Sequence, residues 1–151
     1  MVQPFNSNLN VLVVEDDPND VLLLKMGFQR SNRSSALRIV DDGEQAVKYL
    51  CGQPPFEDRT RYPFPNMILT DLKMPRMDGF ELLSWLRDHP EYAVIPTIVM
   101  SSSGHPKDVR RAYQLGANCF FVKPSNLDEL LVLIRVTFQF WSQCERPGDS
   151  S

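Results

Sequence analysis

The chain has 151 residues, 42% apolar and 23% charged, with a formal net charge of −3. That suffices for one domain with a real core, and the acidic balance argues against a nucleic-acid binder, which needs a concentrated basic face. Cys51, Cys119 and Cys144 lack metal-ligand spacing, the N-terminus lacks a basic and apolar leader, and no apolar run could cross a bilayer, so a reduced, cytoplasmic protein without membrane contact is expected.

Apolar, β-branched runs alternate with helical patterns. "NVLVV" (10–14) reads as a buried strand. "PNDVLLLKMGFQR" reads as a helix with Asp17 as N-cap, Pro18 at its first position, and Val21, Leu24 and Phe28 on one face. "ALRIV" (36–40) is a second strand, and "GEQAVKYL" a short helix that Gly52 ends. The loop 52–65, with four prolines, reads as a semi-rigid connector. "NMILT" (66–70) is a third strand, followed by the helix "GFELLSWLRDH", capped by Asp78 and stopped by Pro90. "PTIVM" (96–100) is a fourth strand and "PKDVRRAYQL" a fourth helix, with Gly116 just past its end. "NCFFV" (118–122) is a fifth strand, and "NLDELLVLIRVTFQFW" a fifth helix with Ser125 and Asp128 spaced as a capping box. His89 and His105 read as surface residues.

Five β–α units with continuous apolar strands imply an α/β fold whose parallel sheet is covered on both faces. Right-handed crossovers make a flavodoxin-like, doubly wound (βα)5 sheet of order 2-1-3-4-5 the natural solution. Residues 9–141 form this domain, 1–8 an N-terminal tail, and 142–151 a tail expected to be disordered.

In such sheets functional groups gather beyond the carboxyl ends of the strands. Glu15 and Asp16 follow the first strand, Asp71 the third, Ser101 the fourth and Lys123 the fifth. Three carboxylates at one site cannot all stay ionised without compensation, and a hard divalent cation such as Mg²⁺, which takes oxygen ligands, supplies it. Asp17 fits better as a helix cap, with Asp20 supporting the helix dipole. A metal, a carboxylate, a hydroxyl and an ammonium together suit phosphoryl transfer to an aspartate, with Asp71 as nucleophile and Lys123 and Ser101 contacting phosphoryl oxygens.

The acidic pair in "VVEDD", Asp71 in "TDLKMPRMDG", Ser101, and Lys123 in "VKP", each ending its own strand, resemble the receiver domain of bacterial two-component response regulators. The resemblance implies that Asp16 and Asp71 bind Mg²⁺ directly, with the Lys73 carbonyl as a further ligand and Glu15 acting more often through water. It implies that Asp71 is the phosphoacceptor, that Ser101 and Phe120 form the switch, and that the Lys123–Pro124 bond is cis. Lys73 and Ser103 occupy positions that in this family flank the phosphate and tune its lifetime. The proline-containing loop before the third strand, the opening "VVEDDPND" and the closing "FQFW" are similar to the small receivers that partner phytochrome-like histidine kinases.

No output domain follows the fifth helix, so a stand-alone receiver is expected: a phosphoacceptor switch, not an enzyme with an external substrate. Ten of fifteen residues from Leu127 to Trp141 are apolar, wider than the arc one sheet face can bury. A homodimer interface using Phe138, Phe140 and Trp141 is therefore expected. The alternative is a receiver-like interaction module that works without phosphorylation. An aspartyl-phosphate hydrolase would want a D-x-D motif at the first strand, where "EDD" gives Glu15-x-Asp17. A flavin carrier would want a hydroxyl- and glycine-rich phosphate loop there.

Overall fold

The computed structural model describes residues 9–30, 36–145 and 147. Residues 1–8, most of the tail after 145, and the connection 31–35 lie outside it. Strands β1 (Asn10–Val14), β2 (Ala36–Val40), β3 (Met67–Thr70), β4 (Thr97–Ser101) and β5 (Cys119–Val122) form one parallel sheet in the order β2-β1-β3-β4-β5. This is the order expected for right-handed β–α units.

The side-chain period of two splits β1 between two cores. Val11 and Val13 face α1 (Pro18–Arg30) and α6 (Leu127–Gln143), among Leu24, Phe28, Ile134 and Phe138. Leu12 and Val14 face α2 (Gly43–Leu50) and α3 (Gly79–Arg87), among Tyr49, Leu50, Leu82 and Leu86. Because both faces are covered, the strands read as unbroken apolar runs, as parallel sheets do. Among the described residues no helix is long and apolar enough to cross a membrane.

Local chemistry sets the helix starts. Asp17 Oδ1 accepts the Asn19 N–H at 2.8 Å and the Asp20 N–H at 3.3 Å, so it caps α1 as expected. Asp78 and Glu81 form a reciprocal capping box on α3. The cap of α6 lies one residue past the Ser125–Asp128 pair: Asn126 is extended and accepts the Glu129 N–H at 2.8 Å. Asparagine caps as well as serine, and the helix begins where the chain leaves the extended region.

Three further expectations are corrected. Pro90 does more than stop α3; at the first position of a new helix its fixed φ suits it to start a single turn, α4 (Pro90–Ala93). The fourth and fifth expected helices are thus α5 (Pro106–Gln114) and α6. Helix α6 runs to Gln143, so residues 142 and 143 are helical rather than tail. The Lys123–Pro124 bond is trans, the ordinary preference of an X–Pro bond, and the cis bond among the described residues joins Pro54 and Pro55. His89 is half-buried, stacked on Trp85 with centroids 4.0 Å apart, while His105 is exposed and accepts the Lys107 N–H.

The loop 52–65 is pinned rather than loose. Phe56 and Tyr62 pack on Tyr49, and Arg59 donates to the Tyr49 and Leu50 carbonyls at the end of α2 at 2.9 and 2.8 Å. Carbonyls at a helix end lack the usual intrahelical partner; that of Tyr49 also accepts the Gly52 N–H at 3.2 Å, and the guanidinium completes the closure.

Candidate phosphoacceptor and metal site

Parallel register brings the strand ends to one rim. Val14 pairs with Thr70, and the Asp71 N–H reaches the Val14 carbonyl at 3.0 Å, which sets Asp71 beside Glu15. Ser101 pairs with Val122, and the Lys123 N–H reaches the Ser101 carbonyl at 2.7 Å. The ladder therefore runs one residue past β3 and β5 and delivers Asp71 and Lys123 at its last rung, with Ser101 closing β4.

Lys123 Nζ is the hub. It donates to Glu15 Oε1 at 2.5 Å, Asp20 Oδ2 at 2.6 Å and Asp71 Oδ2 at 2.9 Å. Asp71 Oδ1 accepts the Leu72 N–H at 2.6 Å, which fixes the carboxyl plane. Glu15 is 3% exposed, and its second oxygen accepts the Asp16 N–H at 3.0 Å. Burial lowers the Lys123 pKa, but its hydrogen bonds to Asp20, Glu15 and Asp71 outweigh this and raise the value overall. Burial also raises Glu15, to about 7, against the pull of Lys123 and with the push of the Asp71 charge. One ammonium does not neutralise this many carboxylates.

Glu15, Asp16 and Asp71 each offer a carboxylate oxygen, all within 4.8 Å of one another. An all-oxygen, anionic donor set with surplus negative charge fits a hard divalent cation of the Mg²⁺ or Mn²⁺ type. Asp16 is exposed, so the set opens to solvent on one side. Lys73 lies two residues past Asp71 with its side chain in solvent.

Ser101 is buried at the end of β4, its Oγ accepting the Ser103 N–H at 3.3 Å. Phe120 is half-buried against Leu72, Leu83, Val99, Ala112 and Ala117. Gly79 is required where it stands, because a Cβ there would come within 2.2 Å of the Asp71 carbonyl oxygen.

The structure thus joins Glu15, Asp16, Asp71 and Lys123, and adds Asp20, whose position in the helix by itself points only to the helix dipole. The spacing of Asp20 within the first turn of α1 gave a local explanation that concealed a long-range one. Phe138 is a correction: it is 2% exposed and packs on Phe28 with ring centroids 4.4 Å apart, so it belongs to the core and not to an interface. Phe140 is 60% exposed, and Trp141 is half-buried beside it.

Residues 11–135 match the response regulator receiver domain family. The chain belongs to that family. It is similar to the response regulator Rcp1 of Synechocystis, 34% identical over 131 residues that span 87% of each chain. Among solved structures it resembles the response regulator RPA3017 in red light signaling of R. palustris, with 37% identity and a TM-score of 0.87 over 93% of this chain and 99% of that one. It also resembles the phosphorylated cyanobacterial phytochrome response regulator RcpA, with 28% identity and a TM-score of 0.85 over the same shares. Rcp1 has been solved in an Mn²⁺-bound form, which matches with a TM-score of 0.82 at 32% identity, over 93% of this chain and 99% of that one. As a receiver this chain is a signalling switch and not a classical enzyme, and its likeness runs to phytochrome-linked response regulators.

Proposed function

We propose that Asp71 accepts a phosphoryl group from the phosphohistidine of a sensor histidine kinase, of phytochrome type by analogy with the relatives, in the cytoplasm. The observation that carries this reading is the meeting of Asp71 with Lys123 and with the carboxylates of Glu15 and Asp16. An Asp71 carboxylate oxygen attacks phosphorus, the phosphorus–nitrogen bond to the imidazole breaks, and the imidazole leaves with the electron pair. The product is an acyl phosphate.

Lys123 and Ser101 have distinct parts in this step. The ammonium, 2.9 Å from Asp71 Oδ2, pairs with one phosphoryl oxygen, and the Ser101 hydroxyl donates to another. Asp16, Asp71, the Lys73 carbonyl and Glu15, directly or through water, would hold a Mg²⁺ ion, which would supply positive charge against that spread over the equatorial oxygens. Drawing Ser101 toward the phosphate vacates space that Phe120 turns to fill, and the surface of α5, β5 and α6 shifts. This is a population shift in a two-state element. Output follows through that surface, to a second copy of the chain or to a downstream protein.

The test is intact mass after incubation with Mg²⁺ and acetyl phosphate. A hydroxylamine-labile adduct on wild type, absent with chelator and absent in Asp71→Asn, is the expected result. A folded wild-type protein that gains no adduct from acetyl phosphate or from a cognate kinase would leave the phosphorylation-independent interaction module in its place.

A further inference from the structure

We propose that Asp20 is a positioning residue that restrains Lys123 in the unphosphorylated protein, and that this is the contact Lys123 surrenders when Asp71 becomes phosphorylated. The inference rests on the reading of Asp71 as phosphoacceptor. An ammonium has three N–H donors and no more. In this structure three carboxylates engage it, at 2.5, 2.6 and 2.9 Å. A phosphoryl group brings strong acceptor oxygens and added negative charge. To bind one of them, Lys123 must release a partner.

The three contacts differ in what release costs. Glu15 is 3% exposed, and losing the ammonium would leave a buried carboxylate short of positive charge. Acylation removes the charge from Asp71, but the phosphoryl group it carries keeps the ammonium drawn to that side of the site. The Asp20 side chain is 30% exposed and sits in the first turn of α1, where water and the helix N-terminus both support its charge. Asp20 is therefore the partner that exchanges for phosphate. While it holds Nζ it draws the ammonium toward α1 and weighs against phosphorylation.

The experiment compares wild type, Asp20→Ala, Asp20→Glu and Asp17→Asn at saturating Mg²⁺, following adduct formation from acetyl phosphate by intact mass, with a melting temperature for each. Asp17→Asn is the electrostatic control. It removes one negative charge nearby, keeps a capping side chain and touches no part of Lys123. Asp20→Ala is expected to phosphorylate faster, on the order of fivefold, the scale of a partly exposed ion pair. Asp20→Glu returns toward the wild-type rate, and Asp17→Asn matches wild type. A rate for Asp20→Ala equal to wild type, equal to Asp17→Asn, or slower than both overturns the restraint while leaving the phosphoacceptor reading intact. No adduct on any folded variant overturns both.

Discussion

Asp42, fully buried at the start of α2, accepts the Gln45 N–H at 2.9 Å and receives the guanidinium of Arg76 through Nε at 2.5 Å. The pair ties the turn after β2 to the connection that leaves Asp71. A backbone bond from the Gly43 N–H to the Met77 carbonyl, 2.9 Å, fastens the same two segments. Arg76 holds this position at a φ of 64°, in the left-handed region. An alanine there keeps the left-handed cost and loses the ion pair, whereas a glycine loses only the ion pair. Arg76→Ala should therefore unfold at a lower urea midpoint than Arg76→Gly, by about 1 kcal/mol at an unchanged slope. Equal midpoints would show that the backbone at Arg76 carries no such cost.

Glu15 makes stability depend on pH in the absence of metal. Its pKa is raised from 4.5 to about 7, chiefly by burial, so the folded chain keeps a proton that the unfolded chain releases. The folded state binds more protons across this window, and stability therefore falls as pH rises from about 4.5 through 7. The slope approaches ~1.4 kcal/mol per pH unit at most. Lys123, whose pKa is raised, stays charged throughout and adds no slope there. Melting temperatures in chelator between pH 5 and 8 should decline more steeply for wild type than for Glu15→Gln. Mg²⁺, which wants the ionised carboxylate, should flatten the wild-type curve and bind more weakly below pH 7. Parallel curves for the two proteins would refute the assignment.

What could be foreseen from sequence divides along a physical line. Periodicity and strand-end position are local signals, and they placed all five strands, the sheet order, and the Glu15, Asp16, Asp71 and Lys123 positions. Contacts decided by competition among distant groups were not legible. Asp20 and Lys123 stand 103 residues apart in the chain, and nothing near Asp20 announces the partner. Phe138 and Phe140 share one apolar helix, and only the arrival of Phe28 from α1 decides which of them is buried. At the α6 start, Ser125 and Asn126 are both good caps, so composition could not fix the boundary to one residue. The trans Lys123–Pro124 bond departs from the family expectation, and no feature of the sequence marks it.

Lys73 offers a test of phosphate lifetime separate from phosphate transfer. Its carbonyl belongs to the proposed metal set, but its side chain is exposed and free to lie over the acyl phosphate. A cation there would attract the phosphoryl oxygens and hinder the approach of water. Lys73→Ala keeps the carbonyl, so Mg²⁺ affinity should be unchanged. The half-life of the adduct after removal of the donor should shorten by about two- to threefold, the scale of an exposed charge pair. An unchanged half-life would remove Lys73 from any such role.

Phe138 and Phe140 sit two residues apart on α6, and their substitutions should separate folding from assembly. Phe138 lies in the core between α1 and the sheet, so Phe138→Ala should cost about 3–5 kcal/mol in stability. Phe140 faces solvent with Val132 and Val136, and with exposed Val122 these form an unpartnered apolar surface beside a shallow groove lined by Phe121, Pro124 and Leu133. Burying that surface against a second copy would remove several large side chains from water at roughly 25 cal/mol per Å². Phe140→Arg and Val136→Arg should therefore shift the mass in sedimentation equilibrium from dimer to monomer, while the urea midpoint of the monomer moves by less than about 0.5 kcal/mol. Running the same measurement on wild type with and without the phosphodonor shows whether assembly follows phosphorylation. A wild type that is monomeric under both conditions would rule out the second copy as the occupant of this surface.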